Sequence, residues 1–170
     1  MRRPDRAVRG ARADAGSAVV EFLGVALVLL VPVVYLVLVL GTLQSAAFAV
    51  EGAAREAVRA YVTTAAHEQA ARDPGGGAAS GDAATARAGA RALAAVGLAL
   101  ADQGLDDPSA QAVTLDCAPG CAAPGSSVTA TVEVDVSLPG VPGWLTAVVP
   151  LSIPVSASAT GTVEAFGGTP

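Results

Sequence analysis

The sequence has 170 residues, of which 52 % are apolar and only 4 % aromatic, so a soluble core has to be built from small aliphatic side chains. The formal net charge is −5, and all ten basic residues are arginine. Five arginines face twelve carboxylates after residue 44. This acidic balance excludes a nucleic-acid-binding protein, because phosphate neutralisation requires clustered basic side chains.

Residues 1–16 form a basic leader, in which five arginines against two aspartates give a net charge of +3. From residue 44 onward the net charge is −7, from five arginines and twelve acids. The positive-inside rule therefore predicts a cytoplasmic N-terminus and an extracytoplasmic C-terminal domain.

The 22 residues from Phe22 to Leu43 carry no charge and are mostly apolar. As an α-helix this stretch would be about 33 Å long, enough to cross a hydrocarbon layer of about 30 Å. We expect one transmembrane helix over residues 17–43, kinked at Pro32, where a backbone hydrogen bond is lost. A secretory signal cut at Ala47-Phe48-Ala49, leaving a chain that starts near Val50, is the alternative.

Glu21 directly precedes the apolar stretch, at the fifth position after Gly16. A charge within a membrane helix costs about 2.5 to 3.5 kcal/mol on insertion scales unless it is paired. The carboxylate therefore requires a partner, or else it lies solvated in the head-group layer of a chain that is never cut.

A glycine, four small residues, Glu21-Phe22 and an apolar helix with a central proline resemble the processing site of type IV prepilins. Downstream, residues 53–59 read AAREAVR and are similar to a segment that follows the membrane helix in TadE-like proteins of tight-adherence (Flp, type IVb-like) pili. Val58 stands where that family often has glycine. The resemblance covers residues 16 to about 60.

The resemblance implies a processing site formed by Gly16, Ser17, Glu21 and Phe22. A membrane prepilin peptidase would cut after Gly16 on the cytoplasmic side, leaving Ser17 as the N-terminus. The new amine would lie one helical turn from Glu21 and neutralise it within the chain or in a neighbouring subunit. The implied partners are the membrane, the peptidase, other pilins and pilus assembly platform proteins.

Residues 44–73 are predicted to continue the helix into water and to pack on the protein's own sheet. Ion pairs are expected between Glu51 and Arg55 and between Glu68 and Arg72. His67, the only histidine, is interpreted as a solvated helix residue. The expected inward-facing residues are Val50, Ala54, Ala57, Val58, Tyr61 and Ala65.

Residues 74–81 are predicted to be a glycine-rich linker, after which residues 82–170 form a helix-plus-sheet domain. Asp82 is expected to cap a second helix that runs to about Gln103 and ends at Gly104. The face of this helix is expected to comprise Ala86, Leu93, Val96 and Leu100.

From residue 112 the apolar period changes to two, which predicts strands over residues 112–117, 128–138 and 151–165. Pro154 places the start of the last strand at a sheet edge or a bulge. Trp144 lies in a turn-rich loop expected to cover the sheet. The fold class is therefore α+β and pilin-like, with an antiparallel sheet of three or four strands.

Cys117 and Cys121 are predicted to form a disulfide, because both lie in the extracytoplasmic part. A metal site would need two further ligands, and C-x3-C is not the redox spacing. We also expect no catalytic residues, no cofactor and no small-molecule substrate, since the acids are dispersed and no nucleophile motif is present.

These observations favour a minor pilin or pseudopilin that takes part in pilus assembly as a single-pass membrane protein. The competing hypothesis is a solitary single-pass protein with an extracytoplasmic binding domain, in which Gly16 is not cleaved.

Overall fold

The computed structural model describes residues 7–71, 78–105, 107, 111–121, 123–141 and 151–164. The elements in chain order are α1 (Ala7–Ala70), α2 (Ala78–Ala101), β1 (Gln111–Ala118), β2 (Ser127–Ser137) and β3 (Ser152–Thr162). The chain divides into two compact units, Met1–Gly41 and Thr42–Pro170. We call Ser17–Gly41 the anchor and the second unit the head.

The anchor is a continuous stretch of α1 with its apolar side chains exposed. An 18-residue window within it reaches a mean hydropathy of 3.0, and none of that window is buried, so the helix is long and apolar enough to cross a membrane. The ring of Phe22 is 71 % exposed. Helix α1 continues through Pro32 without ending, and the kink expected there stays a prediction.

Helix α1 begins at Ala7, ten residues before the start of the transmembrane segment that the sequence predicts. The part of the leader from Ala7 to Ala15 contains four alanines and two arginines, which are among the best helix formers. The helical conformation therefore extends from the anchor back through Gly16.

The head contains an antiparallel sheet in the order β1-β2-β3, with β2 in the centre of the described strands. Val113 pairs with Val132, and Ala130 pairs with Ala159. The predicted alternation of β2 is confirmed, because every second residue from Val128 to Val136 is buried. Pro154 lies in β3, an edge strand among those described, as predicted, and stands opposite Asp135 of β2.

The C-terminal half of α1 packs against this sheet, which confirms the predicted use of the helical extension. All six residues expected to face inward are buried. A methyl group built on Gly161 of β3 would lie 2.5 Å from Val58 Cγ1, so glycine is needed for the strand to approach the helix. Most of the core is alanine and valine, and its largest fully buried side chain is Tyr61.

Helix α2 buries a different face from the one that the sequence predicts. Ala86 is exposed and Leu93 is 49 % exposed, whereas Val96 and Leu100 are buried as expected. The prediction was wrong at Ala86 and Leu93, because in the first half of the helix the space beside the core is filled by the methyl groups of other alanines. The buried face repeats every four residues: Ala84, Ala88, Ala92, Val96 and Leu100.

The start of α2 also differs from the prediction. The helix begins at Ala78, so residues 78–81 are not linker, and Asp82 is its fifth residue rather than its cap. Alanine's high helix propensity accounts for the earlier start. Gly104 ends the helix as predicted: its φ is 70°, and its N–H donates to the Ala101 carbonyl at 3.0 Å.

Three of the sequence predictions fall on residues that the structure does not describe. Residues 74–77 of the predicted linker, the Arg72 partner of Glu68, and the loop containing Trp144 lie outside the described residues.

Candidate processing site and contacts of the head

The predicted processing site lies within a regular stretch of α1. Ser17 and Glu21 are four residues apart in the helix, and both are exposed. Residues at this spacing lie on the same helix face, one turn from each other. A positive charge on the Ser17 nitrogen would therefore lie close to the Glu21 carboxylate, whereas in the intact chain this nitrogen belongs to a peptide bond.

Glu21 forms no ion pair with any side chain in the described part of the chain. The three ion pairs found there all lie in the head. The carboxylate is exposed, and Phe22 beside it is exposed as well. The Glu21 carboxylate is therefore accessible to a positively charged group that does not belong to the described residues of the intact chain.

Cleavage after Gly16 requires the helix to unwind locally, because proteases bind backbone rather than a closed helical turn. Gly16 lies inside α1. Glycine destabilises a helix interior by roughly 0.5 to 1 kcal/mol relative to alanine, and it puts no side chain in the way of an approaching protein. Gly16 is therefore a point at which α1 opens at lower cost than it would at an alanine.

In the head, a disulfide joins Cys117 to Cys121 with a Cα–Cα distance of 4.9 Å, as predicted. The hydroxyl of Tyr61 on α1 donates to the Cys121 carbonyl at 2.8 Å, and the Cys117 Sγ lies 3.9 Å from the same hydroxyl. The pKa of the Tyr61 phenol is raised, because the effect of burial outweighs that of a side-chain hydrogen bond with Thr85 of α2, which lowers it. Tyr61 thus connects α1, α2 and the disulfide loop.

Several charged side chains lie on the exposed side of α1 and form ion pairs. Glu51 pairs with Arg55, as predicted, and Glu56 lies 3.6 Å from Arg59. The partner that the structure gives Glu68 is Arg87 of α2, at 3.3 Å. This third pair ties the end of α1 to the first half of α2.

His67 is exposed, in keeping with its interpretation as a solvated helix residue, and its Nδ1 lies 2.7 Å from the Thr63 carbonyl. Across the described residues, no group of three or more His, Cys, Asp and Glu side chains is placed to hold a metal ion. The expectation that the chain is not an enzyme stays a prediction.

One concavity of about 350 Å³ lies in the head, between the start of its α1 segment, the residues after α2 and the end of β2. Thr42, Leu105 and Val136 contribute to its wall, and two carboxylates, Asp107 and Asp135, border it. It could admit a small polar molecule or several waters.

Two exposed apolar features of the head were not found from the sequence. Phe48 on α1 is 74 % exposed, and Leu98 on α2 is 67 % exposed. The signal that could have revealed Leu98 is the composition of α2, which has only three charged residues in 24 and is apolar around most of its circumference.

Comparison with known proteins adds no assignment: no protein-family model, no curated protein and no solved structure matches this chain.

Proposed function

We propose that this chain is a minor pilin-like or pseudopilin-like membrane protein that takes part in assembly of a tight-adherence pilus. A prepilin peptidase removes residues 1–16, and Ser17 becomes the N-terminus of a subunit that keeps its anchor. The protein acts by assembly with other pilins and platform proteins, and it performs no catalysis.

The observation that carries the proposal is Glu21, an exposed carboxylate at the start of an exposed apolar helix, one turn after Ser17. An unpaired charge at this place opposes insertion, by about 2.5 to 3.5 kcal/mol at the centre of a bilayer and less near its edge. Cleavage after Gly16 supplies a positively charged amine at the right spacing, and Glu21 can also pair with the amine of a neighbouring copy.

The proposed topology places the leader in the cytoplasm and the head outside. The leader's net charge of +3, from five arginines and two aspartates, supports this orientation. The disulfide between Cys117 and Cys121 supports it independently, because such bonds persist in oxidising compartments.

The N-terminus of membrane-extracted protein tests the proposal directly. The chain contains no lysine, so an amine-reactive reagent modifies only the terminal amine, and the labelled peptide identifies the first residue. We expect this residue to be Ser17. A terminus at Met1 would overturn the proposal, and one near Val50 would indicate conventional signal removal.

Two variants test cleavage and assembly separately. Gly16→Leu should leave the leader attached, whereas Gly10→Leu, within the same leader, should be cut normally and serves as the control. Glu21→Gln should be cut at Ser17 but should fail to enter assemblies, because the amine has lost its partner. Normal assembly of Glu21→Gln would contradict the pairing.

A solitary membrane protein with a ligand-binding head is the second candidate. The concavity bordered by Asp107 and Asp135 favours it, since a binding domain needs a recess with polar groups. This function requires no cleavage, so a terminus at Met1 would support it.

A further inference from the structure

Tyr35 carries the only side chain between Phe22 and Gly41 that can form a hydrogen bond. At 1.5 Å per residue it lies about 4 Å from the middle of the apolar stretch. Long side chains in an α-helix extend toward its N-terminus, which takes the Tyr35 hydroxyl toward the bilayer centre. The ring is exposed, and the hydroxyl forms no hydrogen bond with any residue that the structure describes. In hydrocarbon this donor requires an acceptor from another molecule.

A backbone acceptor without its usual donor lies two turns earlier in the anchor. Pro32 has no N–H, so the Val28 carbonyl loses the hydrogen bond that it would accept in a regular helix. In a membrane such a carbonyl is satisfied by a neighbouring helix, by a serine or threonine, or by water. No serine or threonine occurs between Phe22 and Gly41. The anchor therefore holds one donor and one freed acceptor within the hydrocarbon layer.

The donor and the acceptor lie on the same face of the anchor. Tyr35 follows Val28 by seven residues, which at 100° per residue is about 20° short of two full turns. Repetition every seven residues also defines the contact line of two parallel, supercoiled helices. Two such rows lie side by side here, and we call them together the seam: Glu21, Val28 and Tyr35 in one row, and Ser17, Gly24, Val31 and Leu38 in the other.

All three polar side chains of the anchor, those of Ser17, Glu21 and Tyr35, lie on the seam. The other faces of the anchor consist of apolar residues. Gly24 on the seam has no side chain, so two backbones can approach closely there, as they do at small residues of membrane helix pairs. A polar residue on such a contact line fixes the register of the two helices.

We infer that two copies of this chain pair in the membrane along the seam, and that Tyr35 of each donates a hydrogen bond to the Val28 carbonyl of the other. The contact is isologous, because one face carries both the donor and the acceptor and each copy contributes both. This reciprocity identifies a second copy as the occupant. The Ser17 amine and Glu21, which can pair between copies, lie on the same seam.

This inference rests on the proposed function in one respect. All copies have to insert with the N-terminus on the same side of the membrane, so that neighbouring anchors are parallel. The hydrogen bond itself does not involve the new terminus, because Val28 and Tyr35 lie about 16 and 27 Å along the helix from Ser17 at 1.5 Å per residue.

Cysteine cross-linking of the full-length protein, in membranes of the cells that express it, locates the paired face. Val31→Cys lies on the seam, whereas Val33→Cys, at nearly the same depth, is turned about 200° away and is the matched control. The protein's own cysteines, Cys117 and Cys121, are joined to each other. After oxidation we expect about ten times more dimer for Val31→Cys than for Val33→Cys. Equal yields would overturn the seam.

Two different tags, carried on separate copies of Val31→Cys, identify the neighbour. We expect the cross-linked dimer to contain both tags. A product that holds one tag and a different protein would mean that another pilin or a platform protein lies against the seam, and it would overturn the pairing of two copies.

A double-mutant cycle in the Val31→Cys background tests the hydrogen bond. Tyr35→Phe removes the donor and keeps the ring, while Pro32→Ala returns an N–H to the Val28 carbonyl within its own helix. Each should lower the dimer yield by about three- to tenfold at low expression, as loss of interhelical hydrogen bonds in membranes does. Together they should lower it no further than the larger single effect, because both remove the same bond. Multiplied losses, or an unchanged yield for Tyr35→Phe, would contradict the bond.

The terminal-amine label separates this inference from the proposed function. Dimers that depend on the Tyr35 hydroxyl, in a protein whose terminus is Met1, would support the seam alone. A terminus at Ser17 with equal yields for Val31→Cys and Val33→Cys would support processing alone.

Discussion

In the anchor, large aliphatic and aromatic side chains face outward along the whole helix, whereas in the head the buried side chains are mostly alanine and valine. Both regions are rich in apolar residues, so composition does not distinguish them. The two regions differ in what covers their apolar side chains. Those of the anchor need an apolar environment from outside the chain, whereas those of the head's core are covered by other residues of the head. Exposure of large apolar side chains therefore distinguishes the anchor as the part of α1 that could cross a membrane.

The largest expected effect comes from a charge placed in the anchor. Leu30→Arg should make the free energy of membrane insertion less favourable by about 2.5 to 3.5 kcal/mol, because the guanidinium enters hydrocarbon near the centre of the span. Apparent insertion in a glycosylation-reporter assay measures this cost. Ser156→Arg, at an exposed position of the head, should change the free energy of unfolding by no more than about 0.5 kcal/mol. If Leu30→Arg left membrane insertion as little changed as Ser156→Arg leaves the stability of the head, the distinction between the two regions would be contradicted.

The next effect concerns the closest helix–sheet contact in the head. Gly161→Ala should lower the free energy of unfolding by about 1 to 3 kcal/mol, because its methyl group would overlap Val58 Cγ1. Urea unfolding of the detergent-solubilised protein gives the value. Adding Val58→Ala should recover part of the loss. Gly89→Ala in α2, where the nearest atom would be 4.0 Å away, should be neutral or stabilising.

Loss of the Tyr61 hydroxyl should have a smaller effect. Tyr61→Phe leaves the Cys121 carbonyl without its donor, at a cost of about 1 kcal/mol in the free energy of unfolding. The pKa of this phenol is raised in the folded protein, so above pH 10 the unfolded chain loses its proton first. The contribution of Tyr61 to the free energy of unfolding is therefore complete below that pH, and it declines as the pH rises toward the pKa that the phenol has in the folded protein. Unfolding midpoints between pH 8 and 11 should fall less steeply for Tyr61→Phe, and parallel slopes would contradict this assignment.

The smallest effect is expected at the surface of α1. Arg55→Ala should lower the free energy of unfolding by no more than about 0.5 kcal/mol, since its ion pair with Glu51 is exposed. The effect should fall further in 0.5 M salt. A loss above 1 kcal/mol would mean that Arg55 has a packing role in the head.

The sheet could be predicted from the sequence because its central strand alternates valine and alanine with threonine and acids. One face of β2 is buried and the other is partly or fully exposed, so apolar and polar residues alternate along the strand. The same reasoning worked for α1 in the head, where charged residues mark the exposed side. Both predictions depended on polar residues as markers.

Helix α2 could not be predicted in the same detail, because alanine occurs on all its faces and marks none of them. The pattern Ala84, Ala88, Ala92 becomes visible only when the sheet and α1 fill the space on one side. The predicted processing motif is local, because it lies within seven residues of the sequence. The contact of Tyr61 with Cys121 joins residues 60 positions apart, and no pattern in the sequence indicates it.

The small side chains of the head's core have a consequence for how the head unfolds. Alanine loses no rotamer entropy on burial, and it also removes little surface from water. Denaturant slopes and heat-capacity increments scale with the area that unfolding exposes. The head should therefore melt over a broad range of temperature and respond weakly to urea for its length, so that even a modest contact with a neighbouring molecule would sharpen its transition.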